Sequence, residues 1–108
     1  MTDLEITRLC AEAMKMRLNW ADDQDDHPGS YWDHDGSYRT YWPLYNDAQA
    51  MALVKKLQML VRWDGGVHGW TAGCWYEGSK GQAIWTDWTA QDLNSAICEC
   101  VAKMQAAK

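Results

Sequence analysis

MLVRWDGGVHGWTAGCWYEGSKGQAIWT, residues 59 to 86, is the stretch whose reading decides the fold. Glycines at Gly65-Gly66 and from Gly78 to Gly81 break it into three runs, Met59 to Asp64, Val67 to Glu77 and Gln82 to Thr86. Runs of this length between glycine turns, rich in aromatic and β-branched residues, predict an antiparallel three-stranded meander. Side chains of a strand alternate between its faces. In the middle run one face therefore takes His68, Trp70, Ala72, Cys74 and Tyr76, and the other takes Val67, Gly69, Thr71, Gly73 and Trp75. The first face is continuously apolar and is expected to meet helices, because a buried face fixes strand register. The second is thinned by glycine. Alternation in the neighbouring strands can bring Trp63 and Trp85 beside Trp75, and a register that aligns them, which spacing alone leaves open, makes a tryptophan platform over small residues. Three uses of that platform stand open: a helix that approaches closely over the glycines, an exposed hot-spot patch for a partner, or a stacking cleft for a flat ligand.

Outward from the meander, helices flank it. Asn46 with Gln49 three residues on forms a capping box for a helix over 47 to 60, whose buried stripe is Ala50, Leu53, Val54, Leu57 and Leu60. Lys55 and Lys56 mark its wet side. Before it, Tyr31-Trp32 and Ser37 to Trp42 flank Asp33-His34-Asp35-Gly36, a hairpin pattern closed by Pro43. Residues 21 to 30 lack any apolar period and read as an exposed loop. The chain opens on a helix over 3 to 18, capped by Thr2 with Glu5, with Ile6, Leu9, Cys10, Ala13 and Met16 on one face. It closes on a third helix with Thr89 as N-cap, Asp92 at N3 and Trp88 stapled on Leu93. Leu93, Ala96, Ile97, Cys100, Val101 and Met104 form its buried face. The expected architecture is α+β, a single domain over residues 1 to 108 in the order α-ββ-α-βββ-α. Its sheet of four or five mostly antiparallel strands is layered with helices on one or both faces, and a helix/sheet/helix sandwich is the expected form.

Eight tryptophans in 108 residues, with no phenylalanine, make the aromatic content unusual. Tryptophan suits sites that are part apolar and part wet, since its large ring carries one N–H. Trp70 is expected in the core, Trp88 as the staple, and Trp20 and Trp42 against the sheet margin. Trp32, Trp63, Trp75 and Trp85 are left as the residues whose exposure decides between structure and binding.

The net charge of −5 is local. Asp22, Asp23, Asp25, Asp26, Asp33, Asp35 and Asp47 face a single cation, Arg39, between residues 21 and 47. Direct nucleic-acid binding needs the opposite sign. Asp33-His34-Asp35-Gly36 resembles the start of a calcium loop, but Leu44 stands where the twelfth-position glutamate belongs, so a plain turn is expected. The aspartates of residues 22 to 26 read as a solvated loop rather than a cation site. An acidic surface interleaved with Tyr31, Trp32, Tyr38, Tyr41 and Trp42 can present anchors and charge to a basic partner.

No signal-peptide pattern opens the chain and no run approaches a membrane span of roughly 20 apolar residues, so a cytosolic protein is expected. Cys10, Cys74, Cys98 and Cys100 then read as reduced, small hydrophobes. Cys98 and Cys100 point to nearly opposite sides of a helix, at a spacing wrong for zinc. No metal, cofactor or catalytic residue is assigned: no nucleophile elbow, P-loop or zincin motif occurs, and His27, His34 and His68 stand apart from any nucleophile.

TDLEITRLCAEAM (residues 2–14), YWPLYNDAQAMALVKKL (41–57) and DLNSAICECVAKM (92–104) together resemble a group of small tailed-phage and prophage proteins of unknown function, whose fold is called the phage ABA sandwich. The resemblance implies a helix/sheet/helix sandwich and brings no catalytic residues. Residues 22–31 and the tryptophan density of residues 63–88 depart from that pattern. The expected function is a non-enzymatic phage accessory protein, acting in the cytoplasm of the host bacterium. It binds and modulates a host or defence-system protein with a basic nucleic-acid-binding surface, an anti-CRISPR-like inhibitor being the sharper form. Its candidate partner-binding residues are Trp32, Asp33, Asp35, Tyr38, Trp63, Trp75 and Trp85. A binding module for a small aromatic or nucleotide ligand is the alternative, and a virion or assembly component a weaker one.

Overall fold

Alternation and capping together produce eight elements in the computed structural model, which describes residues 1–17, 30–32, 38–65 and 69–108. In chain order they are α1 (Asp3–Ala13), β1 (Ser30–Trp32), β2 (Tyr38–Thr40), α2 (Asp47–Leu57), β3 (Leu60–Trp63), β4 (Trp70–Glu77), β5 (Ala83–Ala90) and α3 (Leu93–Ala107). The α+β class and the element order are those read from the sequence.

The strands form two separate sheets rather than one of four or five. β1 and β2 pair antiparallel with Trp32 opposite Tyr38, and β3, β4 and β5 form an antiparallel meander in that spatial order. The turn between β1 and β2, and the acidic loop before β1, lie outside the described residues.

Thr2 caps α1 as its side chain accepts from the Glu5 N–H at 3.1 Å. The helix ends at Ala13, short of residue 18, where Lys15 adopts a left-handed backbone. Asn46 caps α2 by accepting from the Gln49 N–H at 3.0 Å. The Gln49 side chain does not turn back to complete a capping box. Its Oε1 accepts from the Trp42 N–H at 2.7 Å and its Nε2 donates to the Thr40 carbonyl at 2.8 Å, so it ties the exit of β2 to α2. Leu60, expected on the α2 stripe, instead begins β3 because Gln58 ends the helix in a left-handed conformation.

The third helix starts three residues later than its sequence suggests. Asp92, not Thr89, is its N-cap, accepting from the Ser95 N–H at 2.9 Å. β5 pairs with β4 along its whole length, from Ala83 opposite Glu77 to Ala90 opposite Trp70. That ladder holds Trp88 and Thr89 as strand residues, so Trp88 is no staple. An N-cap carboxylate is worth about 1 kcal/mol. Asp92→Ala should therefore lower stability by about that amount in urea unfolding, and Thr89→Ala by less than half of it.

α3 is the centre of the molecule. It lies across β4 and β5, and α1 and α2 pack on α3 rather than on the strands. Ala96, Ile97, Cys98, Cys100, Val101, Ala102 and Met104 are all buried, on more than the single face its apolar period shows. Small side chains let neighbours approach α3 from several sides. The helices are thus gathered on one side of the three-stranded sheet, where a sandwich would set some on each. Its other face carries none of the described helices.

The four cysteines are unbridged and buried. Cys98 and Cys100 face different neighbours: the Cys98 thiol lies against Cys10, and the Cys100 thiol lies against Cys74 and donates to the Thr86 carbonyl at 3.7 Å. Contact with Cys10, reinforced by burial, holds the Cys98 thiol far above the usual range, and Cys74 with burial does the same to Cys100. Thiolate is the reactive form. A soluble aromatic disulfide reagent at neutral pH should consequently leave Cys98 and Cys100 unreacted in the folded protein and modify both in urea.

Candidate functional site

The register of the meander assigns every side chain of β3, β4 and β5 to a face. Toward α3 point Trp70, Ala72, Cys74 and Tyr76 of β4, with Ile84, Thr86, Trp88 and Ala90 of β5 and Val61 and Trp63 of β3 beside them. Ala72 and Cys74 are fully buried there. Away from α3 point Leu60, Arg62, Thr71, Gly73, Trp75, Glu77, Ala83, Trp85, Asp87 and Thr89, in cross-strand rows. This open face is the candidate site.

Its middle is apolar. Trp75 sits opposite Trp85, with ring centroids 5.3 Å apart and planes tilted by 59°. Trp75 is 64% exposed and Trp85 38%. Gly73 explains the difference: a Cβ there would lie 2.2 Å from Cζ2 of Trp85, so the Trp85 ring fills the space over the glycine. Asp87 fixes the same ring by accepting from its Nε1–H at 3.0 Å. Trp85 is thereby locked and Trp75 leans on it. Leu60, in the next row, is exposed as well.

The margin is polar. At one end Thr71 donates to Asp64, Thr89 lies 2.9 Å from Thr71, and Arg62 pairs with Asp64 at 2.7 Å, a chain spanning all three strands. At the other end stands Glu77, with Asp87 at the side. An apolar aromatic centre inside a polar rim is the general anatomy of a protein-binding patch.

Of the residues expected in a partner site, the structure brings Trp75 and Trp85 together. Trp63 is not with them. It pairs with Trp70, centroids 5.1 Å apart, on the opposite sheet face, where it stays 52% exposed. Trp32 and Tyr38 oppose each other in the β1–β2 hairpin, and Asp33 and Asp35 lie outside the described residues. Sequence reading missed Leu60, Arg62, Asp64, Thr89 and Asp87. Alternation of Trp85, Asp87 and Thr89 against Ile84, Thr86, Trp88 and Ala90 was the available signal, masked by the cap-like Thr89.

Elsewhere, Trp42 packs edge-on to Tyr45 at 5.1 Å and against the core rather than standing free. Tyr45 donates to Asp3 at 2.9 Å, and this hydrogen bond raises its hydroxyl pKa above the ordinary tyrosine value. Trp88 is 41% exposed beside α3, with the Lys103 ammonium 5.7 Å from its ring. Among the described residues no three His, Cys, Asp or Glu side chains gather as metal ligands, and no helix is long and apolar enough to cross a membrane.

A solved crystal structure of a phage protein from Bacillus cereus ATCC 14579 shares this fold. It superposes with a TM-score of 0.62 at 16% identity, over 98% of this chain and 88% of that one. No family model matches the chain, and no curated protein does.

Proposed function

We propose that this chain is a non-enzymatic phage accessory protein that binds and modulates a host protein through the open face of its three-stranded sheet. The observation that carries the reading is the pairing of two tryptophans, one locked and one largely exposed, in the middle of a sheet face without a described helix over it. Exposed aromatic surface of this kind is uncommon without a binding role. The fold it shares with a phage protein supports the phage setting, which is why the host bacterial cytoplasm is the proposed place of action. The charge of −5 favours a partner with a basic, nucleic-acid-binding surface, and inhibition of an antiviral defence system in the manner of an anti-CRISPR is the sharper form. A flat aromatic or nucleotide ligand is the second reading. The 59° tilt leaves no parallel-walled slot between Trp75 and Trp85 to receive one.

Tagged protein incubated with lysate of a bacterial host should retain a host protein that a Trp75→Ala chain does not. Retention of the same proteins by both chains, or of none by either, would count against the proposal.

A further inference from the structure

We infer that the groove beside Trp75 receives a cationic side chain, an arginine or lysine, so that the partner is basic at its point of deepest contact. The inference rests on the open sheet face being the partner surface. The groove is shallow, about 220 Å³, and is lined by Trp75, Glu77, Gly81 and Ala83 together with Tyr76. One wall is the exposed indole of Trp75. Glu77 stands two residues along on the same face, opposite Ala83, and a Cβ on Gly81 would come only 3.9 Å from its Oε1. Small residues thus leave the carboxylate open to the groove.

Charge selects the occupant. Arg62, the cation of this face, is held by Asp64, and no cation among the described residues is within salt-bridge reach of Glu77. Lys80, on the adjoining turn, has its backbone N–H on Gln82 and makes no ion pair with Glu77. An apolar side chain entering the groove would desolvate the Glu77 carboxylate without pairing it, which is costly. An anionic one would meet the like charge of Glu77. A guanidinium or ammonium stacks on the tryptophan face and pairs with the carboxylate at once.

The test uses a capped octapeptide of alternating arginine and glycine, and its counterpart with citrulline in place of arginine, titrated into ¹⁵N-labelled full-length protein. The arginine peptide should shift the indole N–H signals of Trp75 and Trp85, and the citrulline peptide should leave them in place. Glu77→Gln should weaken the arginine peptide roughly five-fold, more than Glu12→Gln, which removes the same charge from α1. Equal shifts by the two peptides, no shift by either, or equal weakening by the two variants would overturn the inference. Indole shifts that grow with protein concentration alone would overturn it too, since the occupant would then be a second copy. Lysate capture that requires Trp75 but not Glu77 would sink the cation inference while leaving the face reading intact. Peptide shifts without any Trp75-dependent capture would support the groove and remove the proposed function.

Discussion

A Gly69→Ala chain will lose on the order of 3 kcal/mol of stability. Two independent costs meet at this residue. Gly69 has φ of +82°, a backbone conformation that strains any L side chain by about 1 kcal/mol or more. It is also pressed against β5: a Cβ would lie 2.4 Å from the Ala90 carbonyl oxygen and 2.7 Å from the Gln91 Cα. Both obstacles are backbone, so no rotamer change relieves them. The residue cannot move away either, because its carbonyl accepts from the Asp64 N–H at 2.8 Å and its own N–H donates to the Gly65 carbonyl at 3.1 Å. Gly65 is the internal control, with φ of +84° but no atom within 4 Å of its notional Cβ. Gly65→Ala should cost only the strain, about 1 kcal/mol. Thermal unfolding of the two variants against the parent measures the difference, and a Gly69→Ala melting temperature within a degree or two of the Gly65→Ala value would refute the close approach.

Trp75→Ala will behave in the opposite way, sparing stability and removing binding. With 64% of its surface in water, Trp75 contributes little to the core, and its loss should change stability by roughly 0.5 kcal/mol or less. As the anchor of a partner surface it should be worth at least about 2 kcal/mol of affinity, or roughly a thirty-fold weaker complex. Trp85→Ala will not separate the two effects so cleanly. Trp85 covers Gly73, holds Asp87 and supports Trp75, so its removal should cost both affinity and stability. Binding measured by calorimetry alongside unfolding midpoints distinguishes the variants, and a Trp75→Ala chain that binds as the parent does would exclude Trp75 as the anchor.

The sequence carried the element order, the caps at Thr2 and Asn46 and the two faces of β4, because each rests on spacing within one element. The Trp75–Trp85 pair needed the register between β4 and β5 as well, which alternation within each strand allows but does not select. Relations between elements were less legible. Trp63 and Trp70 pair although the sequence between them carries glycines at 65, 66 and 69, and a shift of register by one residue exchanges the faces of β3. Thr89 and Asp92 are both residue types that cap helices, and only the full-length ladder with β4 selects Asp92. The separation of β1–β2 from the meander left no local trace, since both pieces are short antiparallel strands. The burial of α3 on several sides follows from α1 and α2 packing on it, which no periodicity within residues 93 to 107 encodes.

The central claim is that the open sheet face is where the partner sits. Indole N–H signals recorded on the free protein and on its complex with the captured host protein test it most directly. The Trp75 and Trp85 signals should shift on binding while those of Trp42 and Trp70, packed against the core, hold their positions. Unchanged Trp75 and Trp85 signals in a formed complex would contradict it.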